Sequence, residues 1–455
     1  MDKKTGKIRG TDIMSNQGST SQLKQVLGFK ELFSTAVGQI IGAGVMTLLG
    51  SAIGLTGRSV PFAFLVAAIL IVGLSIPMIL IPGTVNVRGG QYTMVAMMAG
   101  KTMSGAFIIL FVLSNISLAM YGISFANYFI PFFGVGTTKA VALIVLTLFF
   151  VLNCFGVDKM AKFQNLIVLM MCIALGLLAA FGVSHVQGDY FTNGFMLDGM
   201  SGLFKASGLL TFAVGGGYVI VNLSAEAKNP TKDIPKAIIV STLVVAVLYA
   251  FVAVVASGAL PVDQVANQPL GVVASAVLPK PVYAFFMVCG AMFAIISTLN
   301  AQYAWATKPL LQACDDGWLP KKLAYLHPKY KTPIILLAIY YGFAVISVIA
   351  GLDVSILGNI SLISTYLVFL MISVCMWKLP QIAPKAWEKS RYKVSPAVMK
   401  ILVVFSSLCA VINIYLNAIQ LTRPLQIANV IVVIAAVVFA YLRRNHATVN
   451  VDIEE

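Results

Sequence analysis

The sequence predicts an all-α integral membrane protein of about twelve transmembrane helices, and three observations carry that prediction. Of its 455 residues, 59% are hydrophobic and only 10% are charged, whereas an average soluble domain is about 25% charged. Apolar runs recur at close to the roughly 20 residues that a helix needs to cross a hydrocarbon core about 30 Å thick. The Lys and Arg residues concentrate in alternate connections between those runs, as the positive-inside rule requires.

A backbone facing lipid must satisfy its own hydrogen bonds, so each run reads as a helix. The spans lie near 33-55, 60-83, 105-131, 138-154, 163-183, 204-224, 236-260, 281-304, 333-350, 355-379, 398-420 and 425-442. With the N-terminus placed in the cytoplasm, 26 of the 31 Lys and Arg residues fall inside, and only Arg58, Lys139, Lys205, Lys280 and Arg423 fall outside. An even number of spans puts both termini in the cytoplasm, for a multi-pass protein of a plasma or inner cell membrane. The net charge of +15 therefore reports topology in a lipid bilayer and does not call for a nucleic-acid partner.

The first 28 residues are rich in Ser, Thr, Gln, Gly and Lys and have no apolar stretch with a cleavage site, so they are not a signal peptide. Residues 1-32 are expected to form a cytoplasmic arm, 33-379 the core, 380-442 two peripheral helices and 443-455 a cytoplasmic tail. Cys154, Cys172, Cys289, Cys314, Cys375 and Cys409 lie in or beside spans without a C-x-x-C pair, and read as apolar structural cysteines.

Glycine interrupts two spans in mid-membrane, at Gly38-Gln39-Ile40-Ile41-Gly42-Ala43-Gly44 in the first and at Gly215-Gly216-Gly217 in the sixth. Glycines also let membrane helices pack closely, but a matched pair five helices apart fits two inverted five-helix repeats, 33-183 and 204-379, each opening on a broken helix. Unwinding frees N–H and C=O groups in a dry medium, which is tolerable only where they line a cavity and bind something. Half-helix N-termini attract a carboxylate, and freed carbonyls attract a cation or an ammonium.

Five stretches, in order, carry a family resemblance. They are Ile41-Gly42-Ala43-Gly44-Val45-Met46; Arg88-Gly89-Gly90-Gln91-Tyr92; Asn153-Cys154-Phe155-Gly156-Val157; Glu226-Ala227-Lys228-Asn229-Pro230 running on to Ile234-Pro235-Lys236-Ala237-Ile238; and Asp316-Gly317-Trp318-Leu319-Pro320. Together they resemble the amino acid/polyamine/organocation (APC) superfamily over most of the chain. The resemblance implies the LeuT-like APC fold, with helices 1 and 6 broken and helices 11 and 12 peripheral.

It also implies a substrate site. The substrate carboxylate would meet the main chain of Gly42, Ala43 and Gly44, and its amino group the carbonyls around Gln39, Ile40 and the Phe212, Ala213 and Gly215 segment. Phe212 matches the family's covering aromatic, with plain packing between helices as the other reading. Where the family commonly has a second aromatic this chain has Gly217 with Tyr218 next, so its pocket is expected to differ in shape. Gln39, Asn115 and Tyr121 are either ligands or helix-to-helix hydrogen-bond partners.

For coupling, some relatives carry a lysine within helix 5, where this chain reads Leu169-Met170-Met171-Cys172. Ser297 and Thr298 match the stretch where sodium-coupled relatives supply hydroxyl oxygens, and hard cations want oxygen ligands; back-bonding to their own helix is the other reading. A coupling Na+ or H+ is therefore the only ion expected, with no cofactor. Glu226 and Lys228, at the cytoplasmic end of the sixth span, read as turn and interface residues.

No Asp or Glu falls mid-span by these boundaries, where such a residue would flag function. That favours a zwitterionic neutral amino acid over a polycation held by carboxylates. His185, His327 and His446 are scattered over connections and give no catalytic or metal constellation, and no phosphate-binding loop is present. The sequence thus points to a secondary transporter, symporter or exchanger, of amino acids. The alternatives are a carrier of another amine such as a polyamine, or a non-transporting amino acid sensor. It leaves the oligomeric state open.

Overall fold

The computed structural model describes residues 18–42, 44–352 and 354–449. Among the described residues the protein is helical throughout, with no strand, and the only β pairing is an isolated bridge between Leu27 and Ala227. The chain opens with α1 (Phe29–Ile40), a π turn at Gly44–Leu48 and α2 (Leu49–Thr56), followed by α3 (Val60–Leu80) and the short α4 (Gln91–Ala99). Next come α5 (Lys101–Ser114), α6 (Ser117–Phe133), α7 (Thr138–Cys154) and α8 (Val157–Gly182). The middle holds α9 (Gly199–Val214), a 3-10 helix at Gly217–Glu226, and α10 (Pro230–Gly258), then α11 (Val262–Val265) and α12 (Leu270–Val277). A long composite helix follows: α13 (Lys280–Phe285), a π segment at Phe286–Met292, α14 (Phe293–Ala306) and α15 (Lys308–Asp315). The last elements are α16 (Ile334–Ile349), α17 (Val354–Cys375), α18 (Leu379–Ile382), α19 (Pro384–Lys389), α20 (Pro396–Ala418) and α21 (Arg423–Arg443).

Nine helical stretches among the described residues are long and apolar enough to cross a membrane, and α7 and α16 are shorter apolar helices. The first stretch, Phe29–Leu80, is 52 residues long, far more than the roughly 20 that one crossing needs. The outer faces confirm which solvent these helices meet. Ile401, Val404, Leu408 and Val411 on α20, and Ile427, Ile431, Ile434 and Val438 on α21, are exposed at three- and four-residue spacing. A continuous apolar stripe on the outside of a bundle is what lipid requires and water would penalise. The protein is a multi-pass membrane protein.

Helix α1 packs on α8, α10 and α14, α3 on α9 and α10, and α17 on α5 and α20. The predicted breaks in the first and sixth spans are present. Helix α1 ends at Ile40 and α9 ends at Val214 with Gly215 extended. The structure adds further irregularities that no glycine cluster announced, a break between α5 and α6 at Asn115 and a π segment at Phe286–Met292.

On one side of the bundle several segments from distant parts of the sequence converge. Leu27 N donates to Glu226 O at 3.0 Å and Lys228 N donates to Leu27 O at 2.8 Å. Ser19 Oγ donates to Asp315 Oδ2 at 2.7 Å, Thr20 Oγ1 to Gln312 Oε1 at 2.8 Å, and Thr448 N to Asp316 O at 2.8 Å. Within the segment expected as an arm, residues 19–28 dock on the bundle. Residues 1–17 and 450–455 lie outside the described residues.

Asp316, just past α15, accepts from Tyr92 Oη at 2.7 Å and Gln312 Nε2 at 3.0 Å. Burial nonetheless outweighs these donors and pushes its carboxyl up to about 6 from an ordinary 3.8. The folded protein then holds a proton that the unfolded chain releases between those values, so stability contributed by this group is present below pH 3.8 and is lost as pH rises to about 6. Over that window the melting temperature of the wild type, followed in detergent, is expected to fall relative to that of Asp316→Asn, and parallel curves would refute it.

Candidate functional site

The two helix breaks face each other. Gly44 sits so close to α9 that a Cβ on it would lie 2.5 Å from Ala213 Cα, which only glycine allows. Across the gap, Gly216 takes φ +123°, a conformation that side-chain-bearing residues rarely adopt. Between the breaks lies a cavity of about 760 Å³, its mouth included.

Five groups of residues and Gln91 line it. The first break supplies Gln39, Ile40, Gly42 and Gly44, and the sixth-span break supplies Thr211, Phe212, Gly215, Gly216, Tyr218 and Val219. Helices α5 and α6 add Phe111, Ser114, Ser117 and Tyr121, while α14 adds Thr298, Gln302 and Trp305. Helix α17 closes the wall with Ser361, Leu362, Thr365 and Val368, and Gln91 completes it. Every described lining residue is uncharged, so the formal charges of a bound solute would be answered by main-chain dipoles.

The helix ends supply those dipoles. Helices α1 and α9 end beside the cavity and a helical turn starts at Gly44 on its wall; helix ends of these two kinds carry partial negative and partial positive charge respectively. Two side chains hold the α1 end open: Tyr249 Oη donates to Ile40 O at 3.2 Å, and Thr298 Oγ1 donates to Gly38 O at 2.9 Å.

The side chains of the wall are fixed by hydrogen bonds. Trp305 Nε1 donates to Gln39 Oε1 at 3.0 Å, tying α14 to the end of α1. Gln302 Nε2 donates to Asn115 Oδ1 at 2.9 Å and to Ser117 Oγ at 3.1 Å. Tyr366 Oη donates to Thr211 Oγ1 at 2.8 Å, and the Tyr218 ring stands edge-on to Phe369 at 4.5 Å. Trp305→Phe keeps the ring but removes the donor to Gln39, and substrate affinity is expected to fall about tenfold, roughly the worth of a buried hydrogen bond; unchanged KM for uptake would contradict this.

Of the residues singled out from the sequence, Gln39, Ile40, Gly42, Gly44, Phe212, Gly215, Tyr218, Tyr121 and Thr298 line the cavity. Ala43 lies outside the described residues. Ala213 and Gly217 are buried behind the wall, Ala213 against Gly44 and Gly217 against Ile40 and Ser241. Asn115 is also one layer back: it orients Gln302 and, through Nδ2 to Phe111 O at 2.7 Å, seals the end of α5.

Ser297 and Thr298 part company. Ser297 Oγ accepts from Gln164 Nε2 at 2.7 Å, inside a buried amide chain that continues from Gln164 Oε1 to Asn300 at 2.8 Å. Thr298 Oγ1 stands 2.9 Å from Gly38 O, 3.4 Å from Ile41 O and 3.1 Å from Ala294 O. Its single proton serves one of these oxygens at a time, which leaves lone pairs at the helix break.

Sequence reading missed Gln302 and Trp305, although they follow Thr298 by four and seven residues and so share its face of a helix. It also missed Ser361 and Thr365, which lie on an uninterrupted helix and gave no signal. Glu226 is more than a turn residue: its carboxylate makes a buried ion pair with Lys308 at 2.9 Å, the two side chains being 3% and 5% exposed.

Residues 27–438 match the amino acid permease family. The chain belongs to that family. This permease is 26% identical to the branched-chain amino acid permease BcaP of Bacillus subtilis, over 96% of its own length and 97% of the relative's. It is 25% identical to the methylthioribose transporter of the same organism, over 71% of its own length and 74% of the relative's. It is 22% identical to the vacuolar cationic amino acid transporter 4 of Arabidopsis thaliana, over 83% and 66% of the two lengths. The permease is thus a member of the APC superfamily, and its relatives are transporters, not enzymes.

Proposed function

We propose that this permease is a secondary active transporter that moves neutral amino acids by alternating access. The observation that carries the reading is the cavity between the two helix breaks, where main-chain donors and acceptors face an uncharged wall. A zwitterion answers both kinds of dipole: its carboxylate would meet the main chain of Gly42 and Gly44, and its ammonium the carbonyls ending α1 and α9. An uncharged wall gives a cationic side chain no carboxylate partner, and Ile40, Phe212, Val219 and Leu362 suit an apolar one. The branched-chain specificity in the name of one relative agrees with this.

In the same reading the chain crosses the membrane twelve times, with both termini in the cytoplasm of a cell membrane. Residues 33-379 form two inverted repeats, 380-442 the peripheral helices, and 1-32 and 443-455 the terminal segments. The stretch Phe29–Leu80 counts as two spans, and α7 and α16 as spans in their own right. Sodium is the coupling ion that the Thr298 oxygens suit, since hard cations take carbonyl and hydroxyl oxygens.

Uptake of labelled amino acids and amines into proteoliposomes, with sodium, proton and internal-substrate gradients imposed one at a time, tests the proposal. Saturable uptake of leucine or a similar neutral amino acid is expected, with the sodium response lost in Thr298→Ala. Uptake confined to lysine or polyamines would overturn the substrate assignment, and binding without flux would make the protein a sensor.

A further inference from the structure

The beginning of α10 combines charge with apolar surface in a way that the transport site does not use. Lys232 and Lys236 are four residues apart, and Ile239 and Val240 follow on the next turn, so all four share one face of the helix. Higher on that face, Leu243, Val247 and Phe251 are 62%, 61% and 55% exposed to the outside of the bundle. The stripe is therefore cationic at its base and apolar along its length.

A second wall makes the base a pocket. Arg391 and Tyr392 meet Lys232, Lys236, Ile239 and Val240 around a hollow of about 580 Å³, its open side included. The connection that carries them is fixed to the end of α3. Ser390 Oγ donates to Gly83 O at 3.2 Å, Thr84 Oγ1 donates to Ser390 Oγ at 3.1 Å, and the Tyr392 ring lies against Gly83. Three cations and no carboxylate line the hollow. The neighbouring Asp233 is buried and does not line the hollow, Glu388 is engaged by Lys393 at 2.6 Å, and Lys236 Nζ lies 4.7 Å from the centre of the Phe29 ring.

We propose that this pocket is a binding site for one anionic phospholipid, its phosphate held by Lys232, Lys236 and Arg391 and an acyl chain laid along Ile239, Leu243 and Val247. Charge complementarity selects the anionic head, and the exposed apolar stripe selects a lipid over a free phosphate. The lipid would join the start of α10 to the connection anchored on α3, at the level of the interface where basic pockets between helices meet headgroups. The site is independent of which solute crosses the membrane.

The test is native mass spectrometry of the full-length protein in detergent, mixed with phosphatidylglycerol or with phosphatidylcholine of the same chain length. Wild type is expected to retain phosphatidylglycerol in preference, and Lys232→Gln/Lys236→Gln/Arg391→Gln to lose that preference by about tenfold or more. Leu243→Asn keeps every cation yet weakens retention, and Lys232→Gln alone gives a partial loss should the triple variant not fold. A matched triple on other exposed cations, Lys322→Gln/Lys329→Gln/Lys400→Gln, retains the lipid. Equal retention by wild type and the first triple would overturn the site. So would an equal loss in the matched triple, which means diffuse attraction, or equally tight binding of glycerol phosphate without chains, which means a free-phosphate site.

Discussion

Replacing Gly44 with valine is expected to abolish uptake while leaving the protein inserted in the membrane. A Cβ at this position would lie 2.5 Å from Ala213 Cα, 3.0 Å from Ala213 Cβ and 3.1 Å from Ala213 N. Two of these three atoms are backbone, so no rotamer change relieves the contact, and the two helix breaks must move apart. Overpacking of this kind costs about 1–3 kcal/mol, and a displacement of about 1 Å at a site that positions its ligand lowers turnover roughly 100-fold. Alanine already carries the offending atom, so Gly44→Ala is expected to fail as well. Gly176→Ala on α8, where a Cβ meets nothing within 4 Å, is the control and should transport like wild type. Normal uptake by Gly44→Val would remove the close approach of the breaks from any account of the site.

The second large effect is expected on stability, at the ion pair of Glu226 and Lys308. Both side chains are almost fully buried, 2.9 Å apart, and Glu226 Oε2 has no partner among the described residues. Taking two charges out of water is expensive, and removing one of them strands the other, at a cost of about 3–5 kcal/mol. Glu226→Gln should therefore lower the melting temperature in detergent sharply, and Lys308→Met should do the same. The double variant, with no charge left to strand, should recover most of the loss. Strictly additive losses would mean that the two groups act separately. The pair joins the end of the 3-10 helix to the start of α15, beside the docked segment at Leu27, so its double variant also separates folding from flux: stability restored without uptake would assign the charges to the transport cycle.

How much of the site could be read in advance depends on the kind of residue. Gly42, Gly44 and Gly215 were legible because an interrupted membrane helix is costly unless it lines something, so glycines in mid-span carry information by themselves. Gln302, Trp305, Ser361 and Thr365 were not, because an unbroken helix does not say which of its faces meets a cavity. Ser297 and Thr298 are neighbours in sequence, yet successive residues turn about 100° around a helix. One therefore meets Gln164 and the other meets the break in helix 1. Glu226 and Lys308 are 82 residues apart, and no local pattern connects them.

What the sequence determined by itself was the solvent, the helical class and the family: hydrophobic run length and the placement of Lys and Arg are set by the bilayer, and the motif order by descent. What only the tertiary structure decided was which side chains share the cavity wall, how Asn115 and Gln39 are engaged, that residues 19–28 dock, and that Glu226 and Lys308 meet in a buried ion pair. These are relations between segments far apart in the chain. Packing of the helices against one another brings them together, and a linear pattern holds no record of that packing.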